Sequence, residues 1–337
     1  MAIILENTVR DGSYVVDFQF SLEQSNSIVS GLANQGFKLI EIGHGLGLGV
    51  SRHPSIRSAK ETDSSYIKGA KEVAGDSKIG VFFIPGIGNL DDIRNAKDCG
   101  IDFIRIGANV DRYIEMREAA QLAKQLDLWV GLNLMKSYAV KPYEFLQIAR
   151  AIDRWQVGDA IYLVDSAGCM TPEEVTTYID VTREHVQTGL GFHGHNNLSL
   201  AIANTCAAAR AGAEFVDSSI LGLGRSAGNA QTEILTYLLN AEGLSDQQYD
   251  QYKLYDFATD VIQPFITYVQ GIDGETVHIG VSKFHSSYLP LIEAAAGEFG
   301  VSVRELIKEV SDVDCLDPSE KLIADVAREI CKNKSDD

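Results

Sequence analysis

The sequence is short of cysteine, of basic residues and of long apolar runs, and each shortage excludes something. Its five cysteines (Cys99, Cys169, Cys206, Cys315 and Cys331) are odd in number, scattered, and include no Cys-x-x-Cys pair. That excludes a disulfide framework and a thiolate zinc site. Cys206 lies in the apolar helical run AIANTCAAARAGA and reads as a small buried thiol rather than a nucleophile. Lysine and arginine total 29 against 47 acidic residues, a formal net charge of −18 over 337 residues. A body that negative repels polyphosphate, so nucleic acid and anionic membrane surfaces are poor partners. No apolar run approaches the roughly 18 residues of a membrane span. The opening MAIILENTVRDG lacks a basic flank and a small-residue cleavage site, so no signal peptide is expected and the reading is cytoplasmic.

What remains is an ordinary globular composition, 45% hydrophobic and 23% charged, which suits a large core. Up to about residue 240, short β-rich runs alternate with longer amphipathic ones. The short runs are AIILENT, KLIEIGHG, KIGVFFIPG, DFIRIGANV, WVGLNLMKS, AIYLVDSAG, LGFHGHNN and EFVDSSILGLG. Each carries Gly, Asn, Asp or Ser at or next to its end, the mark of a buried parallel strand followed by a turn. Seven helical patterns lie between them, two with strong starts: Ser21 as an N-cap, and Thr171-Pro172, where Pro at the first helical position loses no needed N–H. The alternation predicts a (β/α)8 TIM barrel over residues 1–265. An open doubly wound sheet is the alternative, but ENTVRDGS after the first strand is no phosphate-binding turn. Beyond Leu244 the strand pattern stops. Helical runs dominate, predicting a helical C-terminal domain over 266–337 with GIDGETVHIG as a glycine-rich joint and a frayed NKSDD tail.

In such a barrel, polar residues at the C-terminal strand ends share one pocket. Those ends carry Arg10-Asp11, His44, Lys136-Ser137, Asp165-Ser166, His193-Gly194-His195-Asn196-Asn197 and the Gly222–Gly228 loop with Asn229. His-x-His on a strand places both imidazoles on one face, because the strand period is two. With Asp11 from another strand, His193 and His195 make an open divalent-metal site. The bland alternative is a pair of structural histidines. Arg10 has the planar fork that suits a carboxylate or a developing enolate oxygen. Its own bland alternative is pairing with an acid beneath the barrel mouth.

TVRDG, HGHNN and GLGRSAGNAQTE, in that order and spacing, resemble the DRE-TIM metallolyases, the HMG-CoA lyase-like superfamily. Within it the sequence is most similar to the 4-hydroxy-2-oxovalerate aldolase family, as a divergent member. IEIGHG, YLVDSAG and the terminal EKLIADVAREI extend the resemblance over nearly the whole chain. It implies a class II pyruvate aldolase, a carbon–carbon lyase that joins pyruvate to an aldehyde or cleaves the 4-hydroxy-2-oxo acid through a metal-bound enolate. The ion, Mn²⁺ with Mg²⁺ or Co²⁺ as alternatives, would be held by Asp11, His193 and His195, with Asn229 a further candidate ligand. Arg10 would stabilise the enolate, Ser166 would bond the pyruvate carboxylate, and His44 would contribute to substrate binding. A homodimer is expected. An acyl-CoA-dependent Claisen enzyme of the same superfamily is the competing activity, but CoA pockets bring basic groups and this chain offers few beyond Arg225. A barrel kept only as a binding subunit is the third reading, opposed by the presence of Arg10, Asp11, His193 and His195 together.

Four departures from the family pattern stand out. Tyr14 occupies the place of the family's basic histidine. The family's Tyr-Ser-Ser-Phe reads His285-Ser286-Ser287-Tyr288. His44-Gly45-Leu46-Gly47 lacks the family's carboxylate, and a glycine-rich segment tied to aldehyde transfer reads Asp317-Pro318-Ser319-Glu320-Lys321. The first two suggest an exchange of side chains within one pocket, with His285 the base and Tyr14 the hydrogen-bond donor. The last makes a stable complex with an aldehyde dehydrogenase doubtful.

Overall fold

All eight β-rich runs form strands in the computed structural model, which describes residues 1–245, 247–266 and 270–335. They are β1 (Ile3–Glu6), β2 (Leu39–Ile42), β3 (Lys78–Phe83), β4 (Phe103–Asn109), β5 (Trp129–Met135), β6 (Ala160–Asp165), β7 (Gly189–Gly194) and β8 (Phe215–Ser218). Each pairs in parallel with its neighbour in sequence. β1 then returns to β8, with Ile3 opposite Phe215 and Glu6 opposite Ser218, and the barrel closes.

Eight helices wrap it: α1 (Leu22–Asn34), α2 (Asp63–Val73), α3 (Leu90–Asp98), α4 (Arg117–Gln125), α5 (Pro142–Asp153), α6 (Pro172–Arg183), α7 (Ala201–Ala211) and α8 (Thr232–Ala241). Ser21 and Thr171 cap α1 and α6, each in a reciprocal box with the residue three places on. The sequence pattern does not announce α2. It buries only Tyr66, Ile67, Gly69 and Ala70. Gly69 is there for contact: a Cβ would lie 2.7 Å from both Leu22 Cδ1 and Asn26 Oδ1 of α1.

The C-terminal part adds α9 (Gln251–Asp256), α10 (Gly274–Val281), α11 (Leu289–Phe299), α12 (Val303–Val313) and α13 (Glu320–Ser335). Two expectations need correction. GIDGETVHIG is no joint, because Asp273 caps α10 by accepting from the Glu275 and Thr276 amides at 3.0 and 2.8 Å. Two glycines read as breakers, but a good cap outweighs them. The long run after Leu244 is also broken, passing from α9 into a π-helical turn (Phe257–Ile262) and a 3-10 turn carrying Pro264. Its residues 267–269, and 336–337 of the tail, lie outside the described residues. Phe257 and Ile262 still pack into the barrel's core, whereas Ile279, Phe284, Ile292, Leu306 and Ile323 form a separate one. No helix among the described residues is long and apolar enough to cross a membrane.

The barrel's interior is not purely apolar. Arg105 of β4 is fully buried, and its guanidinium grips Glu41 of β2 through Nε and Nη2 at 2.7 and 2.5 Å. Its Nη1 donates to Asp217 of β8 at 2.6 Å. Room for this comes from Gly131, where a Cβ would lie 2.9 Å from the Arg105 chain. Burial alone would raise the Glu41 carboxyl, but Arg105 and Arg10 hold it down at about 2. Replacing Arg105 by Met takes the guanidinium from buried Asp217 and leaves Glu41 with Arg10 alone. The expected loss is about 3–5 kcal/mol of unfolding free energy, read from urea denaturation.

Candidate active site

β1 ends at Glu6, so Arg10 and Asp11 do not lie on the strand as the sequence suggested. They follow a tight turn, fastened by the Asp11 amide donating to the Asn7 carbonyl at 2.8 Å, into a 3-10 helix (Asp11–Val16). His193 lies on β7 and His195 one residue beyond it, their rings at right angles with centroids 5.0 Å apart. Each of Asp11, His193 and His195 offers a ligand atom, and these atoms lie within 4.8 Å of one another. All three residues are buried.

The histidines are held by partners behind them. His193 Nδ1 donates to Asp217 at 2.8 Å, and His195 Nδ1 donates to the Gly228 carbonyl at 3.3 Å. Each Nε2 lone pair is thereby left for a ligand, the arrangement metal-binding imidazoles use. Burial, with His193 and Arg225 nearby, brings His195 down to about 4, so the ring is neutral. Burial would raise Asp11, but Arg10, His195 and His193 hold it well below the usual carboxylate range. Asn229 Nδ2 donates to Asp11 at 2.7 Å, while its buried Oδ1 has no partner among the described residues. Two imidazoles with Nε2 left free, one carboxylate and an orphaned amide oxygen fit a divalent ion. Two glycines allow this crowding. At Gly168 (φ +57°) a Cβ would lie 2.6 Å from the Asn197 amide, and at Gly228 (φ +93°) 2.1 Å from the Gly222 carbonyl.

Arg10 pairs with both acids within reach, donating Nε to Glu41 at 2.7 Å and Nη1 to Asp11 at 2.9 Å. It therefore does find an acid beneath the mouth, and it also lines the cavity above, with Phe82 under its guanidinium at 4.9 Å. That cavity holds about 510 Å³ and brings together Arg10, Asp11, Tyr14, Ser166, His193, His195 and His285. Ser166 Oγ accepts from the Lys136 amide at 3.0 Å. Tyr14 accepts at its hydroxyl from Arg225 Nη2 at 2.6 Å. His285 Nδ1 lies 2.6 Å from Ser287 Oγ. Burial, then Arg225 and Lys136, holds its imidazole well below the ordinary value.

His44 is not brought to the cavity. Its Nε2 donates to the Arg57 carbonyl and its Nδ1 accepts from the Leu46 amide, both at 3.0 Å, with Phe18 stacked on the ring. Both nitrogens are occupied, and substrate binding is not a role this position offers. Asp165 likewise turns inward, accepting from the Cys169 and Met170 amides. Cys206 is buried, its thiol pushed up to about 11 by burial, as befits an inert core residue.

Sequence reasoning missed Glu41, Arg105, Asp217 and the part played by Lys136. The signal for the first three was present: charged residues in the middle of strands that read as buried. Lys136, with φ +58°, is buried at the cavity wall. Its Nζ donates to the Tyr288 hydroxyl at 3.1 Å and to the Leu316 carbonyl. Tyr288 in turn donates to Asp317 at 2.7 Å, and Asp317 pairs with Arg112 at 2.7 Å. Burial lowers Lys136 to about 8, against the opposing pull of Asp317, Asp111 and Asp314.

With this geometry in view, the comparisons are specific. The HMGL-like family model matches residues 2–261. A 4-hydroxy-2-oxovalerate aldolase of Carboxydothermus hydrogenoformans is 36% identical over 329 residues, covering 98% of this chain and 97% of that protein. One of Pelotomaculum thermopropionicum is 36% identical over 332 residues, with 98% and 97% covered. Among solved structures, a pyruvate-bound carboxyl transferase domain of Rhizobium etli pyruvate carboxylase superposes with a TM-score of 0.79 at 16% identity. It covers 99% of this chain and 60% of that one, a likeness of fold alone.

Two outcomes follow from the site's geometry. Asp217→Asn removes the carboxylate that orients His193, and divalent-ion affinity measured by calorimetry is expected to fall about 10- to 100-fold. Lys136 binds fewer protons folded than unfolded between about pH 8 and its ordinary value of 10.5. Stability therefore gains a rising component across that window, and denaturation at several pH values should show Lys136→Met losing it.

Proposed function

The chain belongs to the HMGL-like family, and on that premise we propose that it is a class II pyruvate aldolase. It joins pyruvate to an aldehyde, or cleaves the corresponding 4-hydroxy-2-oxo acid, as a carbon–carbon lyase. The observation that carries this reading is the buried Asp11–His193–His195 cluster with Arg10 beside it in one cavity. A divalent ion held there, Mn²⁺ in our reading, supplies Lewis-acid polarisation of the keto oxygen.

The chain's own groups do the rest. Arg10 is fixed by Glu41 and Asp11, so its charge is already in place where the enolate oxygen develops and costs no reorganisation. Ser166, backed by the Lys136 amide, bonds the pyruvate carboxylate. In cleavage, the C4 hydroxyl must lose a proton. His285 is neutral and takes it through Ser287, whose Oγ receives the substrate proton and passes its own to Nδ1. Tyr14, held by Arg225, donates its hydroxyl hydrogen to the same substrate oxygen. Asn229 Oδ1 is available as a further metal ligand.

The chain acts as two domains, 1–265 catalytic and 266–337 helical, a division supported by their separate cores. Five free cysteines suit the cytoplasm, and a homodimer is the assembly we favour. Asp317 is tied to Arg112 and Tyr288 at the cavity wall, where a flexible aldehyde route to a partner dehydrogenase would need slack. No stable complex of that kind is part of this reading.

Incubation with pyruvate and Mn²⁺ in D₂O should exchange the methyl protons, followed by NMR. A chelator, or His193→Ala, should abolish the exchange. Exchange that persists without metal, or pyruvate that never exchanges with or without an aldehyde, would remove the basis of the reading.

A further inference from the structure

Arg225 lies in the loop after β8 and lines the cavity, half-buried, among the groups assigned to the acceptor. Its guanidinium stacks on the Tyr14 ring at 4.4 Å and spends one N–H on the Tyr14 hydroxyl. No carboxylate among the described residues lies within ion-pair distance of it. The cavity's other arginines differ in this respect: Arg10 is paired with Asp11 and Glu41, and Arg112 with Asp317. Acids are not scarce, with 47 in the chain against 29 basic residues. Arg225 is nevertheless left uncompensated, and its charge helps to depress the imidazoles of His44 and His285.

A partly desolvated guanidinium without a counter-ion is costly, and the cost is relieved when an anion arrives. The planar fork fits two oxygens of a carboxylate or phosphate. Pyruvate's own carboxylate is assigned above to Ser166, not to Arg225. Arg225 instead adjoins Tyr14 and shares the cavity with His285, the residues that handle the hydroxyl formed from the aldehyde. We propose that the acceptor aldehyde carries an anionic group, a carboxylate or a phosphate, and that Arg225 binds it. This rests on the aldolase reading and narrows it: acceptors with a neutral alkyl tail are the poorer substrates.

The test is aldol addition by the Mn²⁺-loaded full chain with pyruvate and four acceptors. Propionaldehyde and butyraldehyde are neutral, succinic semialdehyde carries a carboxylate, and glyceraldehyde 3-phosphate carries a phosphate. At least one anionic acceptor should exceed the neutral pair in kcat/KM by about 10- to 100-fold, the range of one charge-assisted hydrogen-bonded contact. Which anion wins distinguishes the two sources. In Arg225→Gln the ratio should fall to within about threefold of one, and Arg225→Lys, which keeps the charge but not the fork, should lie between. The ratio is internally normalised, so a general loss of activity does not mimic the effect. Neutral acceptors equalling or beating both anions, or a ratio that survives Arg225→Gln, overturns this inference and leaves the aldolase reading standing. No turnover of any aldehyde, with no exchange of pyruvate protons, overturns both.

Discussion

A guanidinium cut off from water sits at the centre of the barrel, and the cavity above is arranged around it. Arg105 holds Glu41 and Asp217, and those same two carboxylates hold Arg10 and His193. Four strands or strand ends thus converge on one charge. Arg10 and Arg105 face Glu41, Asp217 and Asp11, leaving one excess negative charge before any metal enters. A buried cluster with that imbalance attracts a cation, and the imidazoles beside it are already oriented. Charged groups this deep are tolerated because each is paired with an opposite charge.

The cavity's groups divide by the elements that supply them. The candidate metal ligands, Arg10 and the charges beneath them are anchored to β2, β4, β7 and β8, or to turns at the ends of β1 and β7. Arg225, His285 and Ser287 come instead from the loop after β8 and from the C-terminal segment, while Tyr14 shares the 3-10 helix of Asp11. In the function proposed above, chemistry on the pyruvate unit would rest on the scaffold, and contact with the second substrate largely on parts that can vary without disturbing the barrel.

Much of this was legible beforehand, for identifiable reasons. The eight strands announced themselves because a parallel strand buried on both faces must be an apolar run with a turn residue at its end. His193 and His195 were legible because the strand period forces them together. His44 was misread because a strand end specifies proximity to the mouth but not direction, and the chain there turns the ring toward the Arg57 carbonyl. Arg105 and Asp217 escaped notice because a charge in an apolar run has no meaning until its partner, 112 residues away, is placed beside it. Lys136 was noted at a strand end, but its partners come from the C-terminal segment, which no local pattern could supply.

The closure of β1 on β8 has a consequence for synthesis. Asp11 finds Asn229 only 218 residues later, and Asn7 finds Asp217 after 210. At ribosomal speeds of about 5–20 residues per second, that is a wait of roughly ten to forty seconds. Throughout it β1 can pair only with β2, and its other edge stays open to any passing strand. A chain abandoned before β8 has neither a closed barrel nor the carboxylate that aligns His193. The candidate metal site is therefore completed late, when β8 brings Asp217 behind His193.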